Sequence, residues 1–101
     1  MAVAVEMNFR GATLDQYDQV IEKMGLRPGG PMPNGGLSHW VTKTNGGIRV
    51  TDVWESAEDF QRFVDDRLMP VVQEMGIEGG PEVTILPAHT VFAPGYEGAR
   101  T

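Results

Sequence analysis

Apolar and polar residues alternate from Ala2 to Phe9. Val3, Val5, Met7 and Phe9 point one way; Ala4, Glu6 and Asn8 point the other. A period of two predicts a strand. The period then changes. Leu14, Tyr17, Ile21 and Met24 recur at helical spacing behind Thr13, whose hydroxyl can cap the first turn while Gln16 completes a capping box. Gly25 ends this helix by taking the left-handed conformation, with Leu26 folding back on Ile21. Two β-rich runs follow, Leu37 to Lys43 and Ile48 to Glu55, separated by Thr44-Asn45-Gly46-Gly47. Asn-Gly between such runs predicts a hairpin. Ser56 then caps a second helix with Glu58 and Asp59 in its first turn, where the dipole favours acids. Its apolar stripe is Phe60, Phe63, Val64, Val71, Val72 and Met75, and Pro70 is expected to kink it. Glu82 to Phe92 reads as a last strand, with Pro87 at an edge or bulge.

The two halves end alike. Met24-Gly25-Leu26-Arg27-Pro28-Gly29-Gly30-Pro31 is echoed by Met75-Gly76-Ile77-Glu78-Gly79-Gly80-Pro81, and Gly76, Ile77 and Val72 repeat the stop made by Gly25, Leu26 and Ile21. The order β-α-β-β-α-β with right-handed crossovers is a ferredoxin-like α+β domain, its antiparallel sheet carrying both helices on one face. The domain is expected to span 1–92, with a loose tail over 93–101. The second sheet face then needs a cover. Water is a poor one if Val3, Val5, Met7 and Phe9 lie there, and a second copy of the chain packed sheet to sheet is the simplest alternative, giving a homodimer.

Composition narrows the chemistry. The chain has 101 residues, no cysteine and two histidines, His39 and His89. Thiolate ligands, disulfides and a cysteine nucleophile are therefore excluded, and neither histidine has the helical spacing of a zinc pair, so no metal is expected. A net charge of −6 argues against nucleic acid as the main partner. No apolar run reaches the roughly 18 residues of a membrane span, and the first residues lack a basic signal segment. The expected location is cytoplasmic.

The hairpin supplies a candidate site. Counting back from Asn45-Gly46 pairs Lys43 with Ile48, Val41 with Val50, His39 with Asp52, and Leu37 with Trp54. Directly opposed residues share a face with Cβ atoms about 5 Å apart. Asp52 can then hold one ring nitrogen of His39 and leave the other free to take a proton from a substrate. The alternative is that the two side chains only satisfy each other in a half-buried sheet. The same choice between core and ligand surface holds for Trp54 and for Tyr17, Phe60 and Phe63 as aromatic walls. Arg49 and Arg67 either meet an anionic substrate group or pair with surplus acids. The segment from Gly25 to Gly36 is long for a connection and reads as a lid, a dimer arm or a plain connector.

Val50-Thr51-Asp52-Val53-Trp54-Glu55-Ser56-Ala57-Glu58-Asp59-Phe60, with Phe63 beyond, resembles the strand-to-helix junction of dimeric α+β barrel proteins of the antibiotic-biosynthesis-monooxygenase group. That resemblance implies a dimeric barrel. It also implies a cofactor-independent enzyme acting on an aromatic or polyketide-like substrate; in that reading the His39 and Asp52 paired by the hairpin register serve as base and orienter, with Asn8 and Trp54 positioning the substrate. If Asn8 faces the site, as the resemblance implies, Glu6 joins it. Haem-degrading relatives carry an Asn on the first strand, a Trp at the junction and a His on the second helix. Asn8 and Trp54 match, but Val64 stands where the His would be, so no haem cofactor is expected. Monooxygenase, isomerase and cyclase are equally compatible with a His-Asp pair. The competing class is a non-catalytic ligand-binding or structural homodimer.

Overall fold

A computed structural model of the chain describes residues 1–77 and 79–93. The elements are β1 (Val3–Arg10), α1 (Leu14–Lys23), β2 (Gly36–Thr44), β3 (Gly47–Trp54), α2 (Ala57–Phe63), a π-helical turn (Val64–Leu68), α3 (Met69–Glu74) and β4 (Glu82–Pro87). The sheet is antiparallel in the order β2-β3-β1-β4. This is the ferredoxin-like arrangement. Of the expected tail, 94–101 lies outside the described residues.

Local rules act where the sequence places them. Thr13 and Gln16 close a reciprocal capping box at the start of α1. The two helical runs stop in the same way. Gly25 N–H donates to the Glu22 carbonyl and Leu26 N–H to that of Ile21, and Gly76 and Ile77 repeat this with Gln73 and Val72. Both glycines have positive φ, 75° and 69°, which lets the chain satisfy its last carbonyls in a Schellman turn. Asn45 and Gly46 form the bend between β2 and β3, with Thr44 opposite Gly47. Gly47 packs so closely on the Phe9 backbone that a Cβ there would collide with the Phe9 carbonyl oxygen.

Three expectations change and a fourth gains detail. The apolar face of β1 lies beneath the helices, where Val3, Val5 and Met7 join Val50, Trp54 and Phe60 in the core. It is the polar face, with Glu6 and Asn8, that the helices leave uncovered. In α1 it is Val20 that is buried, while Leu14 in the first turn is 40% exposed. At Pro70 the helical run is interrupted, as the proline leads one to expect. The turn before it widens, so that Met69 N–H donates to the Val64 carbonyl. Proline has no N–H and its ring would press on the carbonyl four residues back, so a regular α pattern does not run through this position. Finally, β4 ends at Pro87, where Ala88 N–H donates to the Ala2 carbonyl.

The two helical runs are tied together at one end. Arg67 donates through Nη2 to the Met24 carbonyl at 2.7 Å, and Lys23 meets Glu74 at 3.3 Å. These contacts hold the end of α1 beside the π turn and α3, and so fix the helices over the inner sheet face. No helix among the described residues is long and apolar enough to cross a membrane.

Candidate active site

Antiparallel pairing lines up one residue from each strand on the inner face. One row runs His39, Asp52, Val5, Ile85, and the next runs Val41, Val50, Met7, Val83. His39 and Asp52 are thus adjacent beneath the helices, in the register counted from the hairpin. The register then changes. A bulge between Gly36 and Ser38 sets Gly36, not Leu37, opposite Trp54. An extra residue on one strand near its end does this without disturbing the pairs beyond it.

Asp52 is almost wholly buried, at 2% exposure, and it is surrounded by donors. Its Oδ1 lies 2.6 Å from His39 Nδ1, and its Oδ2 accepts from Trp54 Nε1 at 3.0 Å. A buried carboxylate is tolerated only when its oxygens are satisfied in this way. On the far side of the imidazole, the Tyr17 hydroxyl lies 2.5 Å from His39 Nε2, and the two rings are nearly parallel with centroids 5.8 Å apart. Four side chains from α1, β2 and β3 therefore form one hydrogen-bonded chain: Tyr17, His39, Asp52, Trp54. Burial pushes the Tyr17 phenol up to about 12, with the Asp52 and Asp18 carboxylates adding to the effect, so the hydroxyl keeps its proton at neutral pH.

This chain forms part of the wall of a cleft of about 870 Å³ between the inner sheet face and the helices. The remaining lining is mostly apolar, including Phe63 and Leu68, and residues 25–33 supply another wall. An apolar cleft with a few convergent polar groups is the usual form of a small-molecule site. Trp54 underlies it, packed edge-on against Phe60 and tilted against Phe63.

The sequence-predicted residues divide between the two faces. His39, Asp52, Trp54, Tyr17 and Phe63 line the cleft. Phe60 is buried in the core beside Trp54 and borders a second cavity of about 550 Å³ on the β4 side. Asn8 and Glu6 pair with Arg49 and Thr51 on the outer face, away from the cleft. There Arg49 Nε contacts Glu6 Oε1 and donates to Asn8 Oδ1, each at 3.0 Å. They face outward because β1 alternates strictly and the helices cover its aliphatic side. Arg49 is thus paired with an acid, while Arg67 is spent on the end of α1. His89 is exposed beyond the end of β4.

Tyr17 was expected only as an aromatic wall, and its polar role was missed. The signal was available, since a tyrosine on the core stripe of a helix must find a partner for its hydroxyl.

No family model and no curated protein matches the sequence. Solved structures do match the fold. SnoaB, a cofactor-independent oxygenase from Streptomyces nogalater, is 12% identical over 89% of this chain and 94% of its own, with a TM-score of 0.58. A candidate antibiotic biosynthesis monooxygenase from Chloroflexus aurantiacus is 20% identical over 96% and 98%, with a TM-score of 0.56. Rv0793 from Mycobacterium tuberculosis is 16% identical over 87% and 95%, with a TM-score of 0.60. At these identities the likeness concerns the backbone, and it extends over nearly the whole of each chain. The protein therefore has the ferredoxin-like α+β fold found among antibiotic-biosynthesis-monooxygenase-like proteins.

Proposed function

We propose that the protein is a cofactor-independent enzyme that removes an acidic proton from a small aromatic or polyketide-like substrate, with His39 as the proton acceptor and Asp52 as its orienter. One observation carries this reading. A buried carboxylate holds the imidazole of His39 at the wall of an apolar cleft large enough for a fused-ring molecule. Once a carbanion or enolate forms, dioxygen can react with it directly, so proton removal is the step the protein must supply. SnoaB shares the fold and is a cofactor-independent oxygenase, which favours monooxygenation over isomerisation or cyclisation. A second reading, a non-catalytic binding cleft, is favoured by the engagement of both His39 nitrogens in hydrogen bonds.

The test is oxygen uptake with dithranol, an anthrone with an acidic ring methylene, in buffer containing a chelator and no flavin. The wild-type protein is expected to consume oxygen, and His39→Gln to lower kcat by about 10²–10⁴-fold, the usual worth of a positioned base. Equal rates for the two would leave only the binding reading.

The proposal includes a homodimer. The outer sheet face exposes Trp40 and Leu86 at 52% and 60%, and every residue of β4 is exposed in the single chain. Apolar area of this kind on a small domain favours a second copy as its cover. Light scattering is expected to give twice the 11.0 kDa chain mass, and Leu86→Glu to shift the protein toward monomer.

A further inference from the structure

Neither nitrogen of His39 is open to the cleft. The Asp52 carboxylate can only accept, so Nδ1 carries the proton of the neutral ring, and Nε2 must then accept from the Tyr17 hydroxyl. A base capped in this way acts only if the cap leaves or if the cap itself conducts the proton. The geometry favours conduction. Tyr17 lies near parallel to the imidazole, and its helix is fixed at one end by the Thr13–Gln16 capping box and one turn later by buried Val20. Its hydroxyl points one proton at His39, which leaves the oxygen lone pairs available, and Tyr17 itself lines the cleft.

We propose that Tyr17 is a catalytic residue: its phenolic oxygen takes the acidic proton of the bound substrate while its own proton passes to His39 Nε2. This inference rests on the proton-abstraction reading above. The steps balance. The substrate C–H bond breaks and its electron pair stays on the substrate as an enolate. A new O–H bond forms at Tyr17 as the old one breaks, and an N–H bond forms at Nε2. The imidazolium then sits against Asp52, and Tyr17 is neutral before and after. The raised affinity of this phenol for its proton argues against a free phenolate as the base, so the two transfers are coupled. The cleft thus takes a planar, apolar molecule with one weakly acidic C–H or O–H, presented to a tyrosine edge.

The experiment compares wild type, Tyr17→Phe and His39→Gln in dithranol turnover, alongside the ¹⁵N spectrum of the His39 ring in the unliganded protein. Tyr17→Phe keeps the ring stack, and a circular dichroism melt verifies its fold. The relay predicts that Tyr17→Phe lowers kcat by about 10²–10⁴-fold with KM little changed, as does His39→Gln. It also predicts a ring protonated at Nδ1 and unprotonated at Nε2. An active Tyr17→Phe beside an inactive His39→Gln means that His39 meets the substrate directly, which overturns the relay and leaves the proposed function standing. An active His39→Gln, or an unliganded ring protonated at Nε2, also overturns the relay. Wild-type protein inert toward dithranol removes the proton-abstraction reading and the relay with it.

Discussion

Replacing Asp52 by alanine is expected to abolish most turnover and to weaken the fold. The carboxylate holds His39 Nδ1 and Trp54 Nε1 together, and in its absence the indole N–H is left buried without an acceptor. A stranded buried donor costs about 1–3 kcal/mol, and the loss of ring orientation removes much of the roughly 10²–10⁴-fold that a positioned base supplies. Asp52→Asn separates the two effects. An amide has one acceptor oxygen, so it can serve either the indole or the imidazole in its present tautomer, but not both in the present geometry. If the oxygen stays with Trp54, the amide N–H faces Nδ1 and favours the tautomer protonated at Nε2, and Tyr17 can no longer donate there. Asp52→Asn should therefore keep more stability than Asp52→Ala while remaining nearly inactive. Urea unfolding and dithranol turnover of the two variants measure this.

Trp54→Ala is expected to be the most damaging core substitution. The side chain is 1% exposed and packs on both Phe60 and Phe63. Truncating a buried tryptophan costs about 3–5 kcal/mol, a large part of the roughly 5–15 kcal/mol that holds a small domain together. Trp54→Phe retains much of the ring volume and loses the N–H donor to Asp52, so it should be milder in stability yet impaired in turnover. Denaturant midpoints separate the packing loss from the hydrogen-bond loss. If Trp54→Ala unfolded at the wild-type denaturant concentration, the indole would not be the anchor described.

The sequence was most informative where a local rule decides the outcome. The paired Schellman stops depend only on a glycine after an amphipathic helix, and both formed as read. The Asn-Gly bend set the strand register well enough to bring His39 opposite Asp52, because each pair follows from the one before it. The count failed at Gly36-Leu37-Ser38, where a glycine and a serine give no alternating pattern to betray a bulge. Facing was harder. Alternation places Glu6 and Asn8 together, but which side of β1 the helices cover is decided by the assembled sheet. The family resemblance implied the opposite answer for Asn8. The π turn before Pro70 was illegible for a related reason: a proline announces a defect in the helix but not the form it takes.

The most direct measurement of whether this constellation moves a proton leaves oxygen out. In anaerobic deuterium oxide, dithranol exchanges its acidic ring protons at a background rate readable by NMR. The wild-type protein is predicted to accelerate that exchange, and His39→Gln and Asp52→Asn to return it to background. Exchange at background with wild type, or equal acceleration by all three proteins, would contradict the account.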